Sequence, residues 1–262
     1  MIINSVISKR DLSRISIIPS GETNLIIDSG TVSLGFTYRD YHDAAEGSII
    51  KYLNGEILDG TVLKPDVLNE FDVTSDINDA KGLYQFRFVV SNYFTDTNKI
   101  DYNILYGYTE LKDMVFEYET TDNYKLLSYS GSSSSITIPD YYISEEGTKP
   151  VTIIGQEAFK DCLSEIIILS ENLVTIEYGA FFNSALTSIT IPASVTTIGA
   201  SAFFSCDSLT ELTMQSLVPP TLDGANSFDY DKLITILVPN ESLSIYQNTP
   251  YWSEYSEKML GY

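Results

Sequence analysis

His42, within residues 38–43, is the single histidine of the sequence. A histidine can act as a general base or as a metal ligand. However, no cysteine or second histidine lies at metal-ligand spacing from it. A Ser-His-Asp triad is defined by geometry, so one histidine among many serines and aspartates does not indicate one. We interpret His42 as an ordinary loop residue.

The acidic residues are the other candidates for chemistry, since the chain has 36 Asp and Glu against 15 Lys and Arg. A calcium loop counted from Asp76 would need glycine where Lys81 stands and glutamate where Arg87 stands. The pairs Glu145 with Glu146 and Glu254 with Glu257 have no spacing that singles them out as acid and base. No phosphate-binding glycine loop is present. We therefore predict no catalytic, cofactor or metal site, and a protein that is not an enzyme.

The net charge of −21 argues against nucleic acid as a partner, because phosphates need cationic side chains. It argues equally against anionic membrane surfaces. No apolar run approaches the ~20 residues of a membrane helix, so we expect no membrane insertion. The first ten residues lack the order of a secretory signal, because the basic pair Lys9-Arg10 follows the short apolar run.

The stretch from Val151 to Met214 repeats itself. Its marker residues are Phe159, Phe181 and Phe203, at 22-residue intervals, and each follows an alanine. An isoleucine stands five residues before each phenylalanine, at positions 154, 176 and 198. A fixed period of this length indicates a solenoid, in which each coil buries its apolar side against its neighbours.

Local chemistry within each repeat supports the solenoid. Ile189 and Ile191 alternate with polar residues and so face one side of a short strand, which Pro192 ends. We expect the three phenylalanines to stack on one another in a continuous spine. Cys162 and Cys206 occupy one repeat position two coils apart, about 10 Å at a spacing of ~4.8 Å per coil, which is too far for a disulfide. Both are predicted to be buried thiols.

Residues 188–209, SITIPASVTTIGASAFFSCDSL, closely resemble the BspA-like class of leucine-rich repeats. Three positions depart from the pattern. Glu177 replaces the glycine found at 155 and 199, Ser170 replaces the proline, and after Phe203 the inward pair slips by one residue to Leu212 and Met214. The resemblance covers residues 116–262. It implies an entry cap at 116–150, coils at 151–238, and a closing cap at 239–262 in which a short helix with a tyrosine and a tryptophan covers the last coil.

Residues 1–115 show short alternating strands separated by turns, such as Leu83–Val90 and the Asn54-Gly55 turn. They predict an antiparallel β-sandwich for attachment or oligomerisation. The turn into Tyr84 and Phe86 resembles one corner of an immunoglobulin-like domain. The fold expected for the whole chain is therefore mainly β: an Ig-like sandwich followed by a leucine-rich-repeat solenoid, with the boundary near 112–116.

A solenoid presents equivalent exposed positions in every coil. We expect Thr190, Glu211 and Thr213 to be exposed on strands, and Ser201 and Phe204 on turns. Phe182 and Phe204 directly follow buried phenylalanines. They either pack at the coil corner or, if exposed, form adjacent aromatic anchors for a partner.

The repeats resemble those of bacterial surface adhesins and of proteins from phages that infect such bacteria. Because an adhesin needs export and no export signal is seen, our first hypothesis is a phage structural protein of the virion: a tail, baseplate or head fibre or decoration subunit. It would bind other virion proteins and a host surface protein or glycan. Such proteins are usually homo-oligomers, often trimers. The alternative is a bacterial cell-surface adhesin whose signal is missing from this sequence.

Overall fold

The computed structural model describes residues 109–262, except 120, 121, 145 and 225, and the backbone of eight strands between residues 16 and 106. Side chains are described from residue 111 onward. His42 and residues 76–81 of the acidic loop lie outside the described residues. The chain is mainly β with little helix, as predicted.

Eight strands precede residue 107. They are β1 (Ser16–Pro19), β2 (Asn24–Ile27), β3 (Ser33–Arg39), β4 (Ala45–Leu53), β5 (Glu56–Val62), β6 (Leu68–Asp72), β7 (Gly82–Asn92) and β8 (Thr97–Tyr106). They form one sheet of order β1-β3-β6 and a second of order β2-β8-β7-β4-β5. β4 and β5 pair as the antiparallel hairpin predicted around Asn54-Gly55. β2 and β8 run parallel, which an all-antiparallel arrangement does not predict.

The described residues fall into two compact units. One contains the eight strands together with residues 143–148, and the other contains residues 109–142 and 149–262. The predicted boundary near 112–116 and the roles assigned to each part stay predictions.

From residue 109 the chain begins with a 3₁₀ turn at Thr109–Asp113 and continues through thirteen strands. These are β9 (Met114–Glu119), β10 (Asn123–Tyr129), β11 (Ser135–Thr137), β12 (Tyr141–Ser144), β13 (Gly147–Ile154), β14 (Ile166–Ile168), β15 (Thr175–Ile176), β16 (Ser188–Ile191), β17 (Thr197–Ile198), β18 (Glu211–Met214), β19 (Thr221–Leu222), β20 (Thr235–Val238) and β21 (Met259–Gly261). Between β20 and β21 lie a 3₁₀ turn at Asn240–Ser242, helix α1 at Leu243–Asn248 and a 3₁₀ helix at Trp252–Lys258.

Each coil contributes one strand to each of two parallel ladders. One ladder runs β10-β13-β15-β17-β19, with Ile154, Ile176, Ile198 and Leu222 in register. On the other side β11 pairs with β14, and β16-β18-β20-β21 form a four-stranded parallel sheet. The antiparallel hairpin of β9 and β10 opens the first ladder.

The core lies between the ladders, because the inward residue of each short strand is apolar and buried. Ile189, Ile191, Leu212 and Met214 are all buried, which confirms that the inward pair slips by one residue after Phe203. Each coil is too short to bury its own apolar residues, so the neighbouring coils bury them.

Candidate binding surface

A row of aromatic rings runs through the centre of the solenoid. The ring centroids of Phe159 and Phe181 are 5.2 Å apart, and those of Phe181 and Phe203 are 4.9 Å apart, with the planes within 7° of parallel. Phe228 continues the stack 5.2 Å beyond Phe203, although its repeat is longer. The three phenylalanines of the regular repeat have no exposed surface. The predicted spine is confirmed, and it gives the corner residues beside it a rigid support.

Two turn positions in each coil have a left-handed backbone. One precedes the spine phenylalanine by two residues, at Glu157, Gly179 and Ser201, with φ between 56° and 59°. The other follows it by two residues, at Asp161, Asn183 and Ser205, with φ between 56° and 59°. Asp, Asn and Gly tolerate this conformation better than other residues do. The tight turns at the coil corners therefore have the same geometry in successive coils.

The corner residues that directly follow the spine phenylalanines form an exposed row, which we call the aromatic ledge: Lys160, Phe182 and Phe204. The rings of Phe182 and Phe204 stack with centroids 6.3 Å apart. Lys160 Nζ lies 5.8 Å from the Phe182 ring centroid. Phe182 is half-buried, whereas Phe204 keeps 37% of its surface exposed. The two phenylalanines thus pack at the corner and also present aromatic surface to solvent.

The polar side chains in and beside the ledge already have partners. Lys160 Nζ lies 3.2 Å from Glu157 Oε2, and Asn183 Nδ2 donates to Asp161 Oδ1 at 2.5 Å. Because these polar groups already have partners, the apolar rings are the part of the ledge that would contribute most to the free energy of binding.

The predicted strand positions lie together on one sheet face. Thr190 is the direct neighbour of Thr213 across the β16–β18 pair, and Glu211 stands between Ser188 and Thr235. Thr190 and Glu211 are exposed, and Thr213 is half-buried. Phe182 and Phe204 lie on turns, so the five predicted surface residues form two groups.

Ser201 was expected to be exposed, and that prediction is wrong, since only 8% of its surface is accessible. Its hydroxyl accepts the Asn226 amide from the next coil at 3.3 Å, and that contact covers it. Sequence reasoning also missed Lys160 as a member of the ledge. The signal was present, because Lys160, Phe182 and Phe204 stand 22 residues apart at one repeat position.

Both cysteines are buried, as predicted. Cys206 Sγ lies 3.0 Å from the Phe181 carbonyl oxygen and 3.3 Å from Ser184 Oγ, in the coil before it. Burial raises the pKa of the Cys206 thiol, so the reactive thiolate is disfavoured. This residue is a packing group within the solenoid.

The closing cap uses polar atoms of large rings to bind carbonyl oxygens of the last coils. Trp252 Nε1 donates to the Pro220 oxygen at 2.7 Å, and the Tyr246 hydroxyl donates to the Ser216 oxygen at 2.9 Å. Burial raises the pKa of Tyr246, and it raises the pKa of Tyr255 to about 12. The short helix of the predicted cap is present and contains Tyr246, whereas Trp252 lies in the 3₁₀ helix that follows it.

Residues 109–262, apart from the few left undescribed, contain no group of three or more His, Cys, Asp or Glu side chains that could hold a metal ion. In the same part of the chain, and in the strands before it, no helix has the length and apolar character needed to cross a bilayer.

The sequence of the repeats matches a known family model. Residues 143–255 match the family model described as a BspA type leucine rich repeat region, in six copies. This part of the chain is therefore similar to BspA-type leucine-rich repeats. The match agrees with the resemblance seen in the sequence and extends over strands β13 to β20 and most of the closing cap.

Several solved structures are similar to part of this chain. A leucine-rich repeat protein from Bacteroides capillosus is 24% identical, over 49% of this chain and 95% of its own, with a TM-score of 0.41. The pneumococcal vaccine antigen PcpA is 16% identical, over 49% of this chain and 48% of its own, with a TM-score of 0.33. A leucine rich cell surface protein from Faecalibacterium prausnitzii is 16% identical, over 50% and 70%, with a TM-score of 0.20. At these TM-scores the likenesses carry no conclusion about this chain. No curated protein matches it.

Proposed function

We propose that the chain is a non-enzymatic cell-surface protein of a bacterium, and that its leucine-rich repeat region binds a surface protein of a host. The observation that carries the proposal is the aromatic ledge. Two stacked phenylalanines stand partly exposed at a coil corner that the buried spine holds rigid. Large rings in a fixed position are the residues that most often dominate the binding energy of protein interfaces.

The titratable groups support a binding role over catalysis. Within the part of the chain whose side chains are described, the raised pKa values of Cys206, Tyr246 and Tyr255 follow from burial in the core and the closing cap. The lowered pKa of Asp122 follows from its hydrogen bond with Lys149, and that pair is at the surface. Each shift has a packing or ion-pair cause, so none of these shifts by itself indicates a catalytic group.

For the first unit we propose an immunoglobulin-like sandwich that attaches or positions the repeat region. The strand order supports it. β1-β3-β6 in one sheet and β8-β7-β4-β5 in the other have the order of the A-B-E and G-F-C-C′ strands of variable-type immunoglobulin domains. The extra strand β2 pairs with β8 at the edge of the second sheet.

A phage structural role in the virion, with other virion proteins as partners and a trimer as the assembly, is the second candidate. Its support is the same resemblance of the repeats, which occur in both kinds of protein. The cell-surface role needs export and the virion role does not. Fractionation of a producing bacterium separates them, because the first requires the chain on the outer surface and the second requires it in purified phage particles.

The binding proposal is tested with immobilised host extracellular-matrix proteins and a glycan array, probed with the full chain. We expect binding to a protein, and a loss of at least tenfold in affinity for Phe182→Ala and for Phe204→Ala. Tyr141→Ala is the matched control, since Tyr141 is 38% exposed in the entry cap. Binding to glycans alone would replace the protein partner. Equal binding by all three variants would show that the ledge is not the site.

A further inference from the structure

The aromatic ledge ends at Phe204. Lys160, Phe182 and Phe204 hold one repeat position in three successive coils, and among the described residues Phe204 stacks on Phe182 alone. The other face of the Phe204 ring is turned toward the next coil, where the residue after the spine phenylalanine is Asp229. An aspartate is much shorter than a phenylalanine and does not continue the stack. Phe204 therefore keeps 37% of its surface exposed, whereas Phe182 is half-buried.

The pairing of the last two coils brings Asp229 next to Phe204. Phe203 and Phe228 pair in a parallel bridge, and the Phe203 N–H donates to the Ser227 carbonyl at 2.8 Å. The residues that directly follow the bridge are Phe204 in one coil and Asp229 in the other. They are therefore neighbours across the two coils, and the carboxylate lies on the side of the ring that Phe182 leaves open.

Two carboxylates act on the coil of Phe204. Burial is the main cause of the raised pKa of the Cys206 thiol, and the negative charges of Asp207 and Asp229 raise that pKa further. Since charges in salt solution act over short distances, both carboxylates lie near this coil. Asp207 pairs with Lys232 at 3.3 Å, but the two side chains are 74% and 45% exposed. Such an exposed pair contributes little and exchanges partners easily.

Asp229 takes no cation from the repeat region. Its Oδ1 accepts the Asp231 N–H at 3.1 Å, and among the described side chains no lysine lies within ion-pair distance of it. From residue 109 onward the sequence has 21 Asp and Glu, six Lys and no Arg. Four of these lysines already pair with other carboxylates, and Lys258 donates to the Tyr230 and Leu233 carbonyls. The carboxylate beside Phe204 thus has room for a cation from another molecule.

The opposite end of the ledge shows how a cation packs on this row of rings. Lys160 Nζ lies over the Phe182 ring, 5.8 Å from its centroid, and 3.2 Å from Glu157 Oε2. This distance is within the ~6 Å at which the face of an aromatic ring attracts a cation. One end of the ledge therefore already combines an aromatic face, a carboxylate and a cation. Phe204 and Asp229 provide the first two of these at the other end.

We propose that the open face of Phe204, with the Asp229 carboxylate beside it, binds an arginine side chain of the partner protein. This inference rests on the function proposed above and names the chemistry that the ledge recognises. Charge selects the occupant, because a chain with a net charge of −21 attracts cationic surfaces and repels anionic ones. Arginine fits better than lysine, since its planar guanidinium stacks on an aromatic face and pairs with a carboxylate at the same time.

The test titrates the full chain, with isotope-labelled phenylalanine, with a short arginine peptide (glycine, arginine, glycine, capped at both ends) and follows it by nuclear magnetic resonance. The Phe204 signals are those that a Phe204→Leu variant lacks. We expect them to shift saturably. The same peptide with citrulline, the neutral isostere of arginine, should bind at least about threefold more weakly, because it lacks the charge.

Two variants of the chain locate the carboxylate. Asp229→Asn should weaken binding of the arginine peptide at least about threefold, and its amide oxygen can still accept the Asp231 N–H. Glu171→Gln removes the same charge from an exposed position on the turn between β14 and β15, and it should leave the affinity unchanged. Melting temperatures of both variants check that the fold is intact.

A citrulline peptide that binds as tightly as the arginine peptide would overturn the proposal, because charge would then play no part. Equal weakening by Asp229→Asn and Glu171→Gln would also overturn it, since the peptide would then respond only to the overall negative charge. The result is separate from that of the proposed function. If a host protein binds through Phe182 and Phe204 while the arginine peptide leaves the Phe204 signals unchanged, the arginine site is wrong and the ledge remains a binding surface.

Discussion

Glu177 and Lys125 form an ion pair, with 2.7 Å between Oε1 and Nζ, although 52 residues separate them in sequence. The second oxygen of Glu177 accepts the Gln156 N–H at 2.9 Å. This carboxylate therefore ties together the entry hairpin and the first regular coils. It stands at the repeat position where other coils have glycine.

Glu177→Ala should lower the free energy of unfolding by about 1–2 kcal/mol, because it removes a partly exposed ion pair and one charge-assisted hydrogen bond. Glu171→Ala, at an exposed glutamate in the same coil, is the control and should cost less than about 0.5 kcal/mol. Urea denaturation at low and at high salt measures both. A salt-independent difference would contradict a role for the ion pair.

Gly199→Ala should destabilise the chain by about 2–3 kcal/mol. A Cβ at Gly199 would lie 2.6 Å from backbone atoms of Glu177 and Tyr178 in the preceding coil, so the coils would have to move apart. Gly224→Ala is the matched control. Its Cβ would first meet a side-chain atom, Asn226 Oδ1, at 3.3 Å, and a side chain yields more easily than the backbone does. Equal melting temperatures for the two variants would show that the coils are not packed this closely.

At the left-handed turn positions, two substitutions should change the stability of the chain in opposite directions. Gly179→Ala should cost about 1 kcal/mol, because an L side chain is strained at φ 59°. Glu157→Gly, at the same position one coil earlier, should gain about 0.5 kcal/mol and lose only an exposed ion pair. Thermal unfolding of the two variants checks the signs. A stabilising Gly179→Ala would contradict the shared corner geometry.

Tyr255 should make the chain sensitive to alkaline pH. Burial raises its pKa from 10.0 to about 12, and its hydroxyl donates to the Phe228 carbonyl at 3.1 Å. Between these two values the folded chain keeps this proton while the unfolded chain has lost it. The stability must therefore fall as pH rises from 10 to 12, by up to about 1.4 kcal/mol per pH unit.

The Tyr255→Phe variant separates this effect from general alkaline unfolding. At pH 7 it should be about 1 kcal/mol less stable than the wild type, since it lacks the hydrogen bond. The difference should vanish and then reverse between pH 10 and 12, because the wild type loses stability there and the variant has no hydroxyl to ionise. Urea titrations at several pH values measure it, and curves that stay parallel would exclude Tyr255 as the cause.

The sequence predicts the solenoid well, because its inward positions are set by period and burial alone. Phe159, Phe181 and Phe203 repeat at one interval, and stacked coils have to bring them together. The closing cap is also predicted, since the open end of such a stack needs large apolar rings to cover it.

The departures from the pattern could be seen in the sequence but not explained by it. Ser170, which replaces proline, is fully buried; its hydroxyl donates to the Val151 carbonyl and accepts the Asn172 N–H, both at 3.1 Å. Glu177 acts through Lys125, a partner outside the regular repeat. Such partners are set by contacts between coils, which a repeat pattern does not contain. For the same reason the exposure of Phe204 and the burial of Ser201 needed the structure.

Trp252 is the chain's single tryptophan, and it is fully buried. Its ring centroid lies 5.7 Å from that of Phe228, the last ring of the spine, and 5.1 Å from that of Tyr246 in the cap. Intrinsic fluorescence excited at the red edge therefore comes from the closing cap alone and reports its undocking. A cap that opens before the coils separate would shift the emission while far-ultraviolet circular dichroism stays unchanged. The chain thus has a built-in optical probe for fraying at one end of its repeat array.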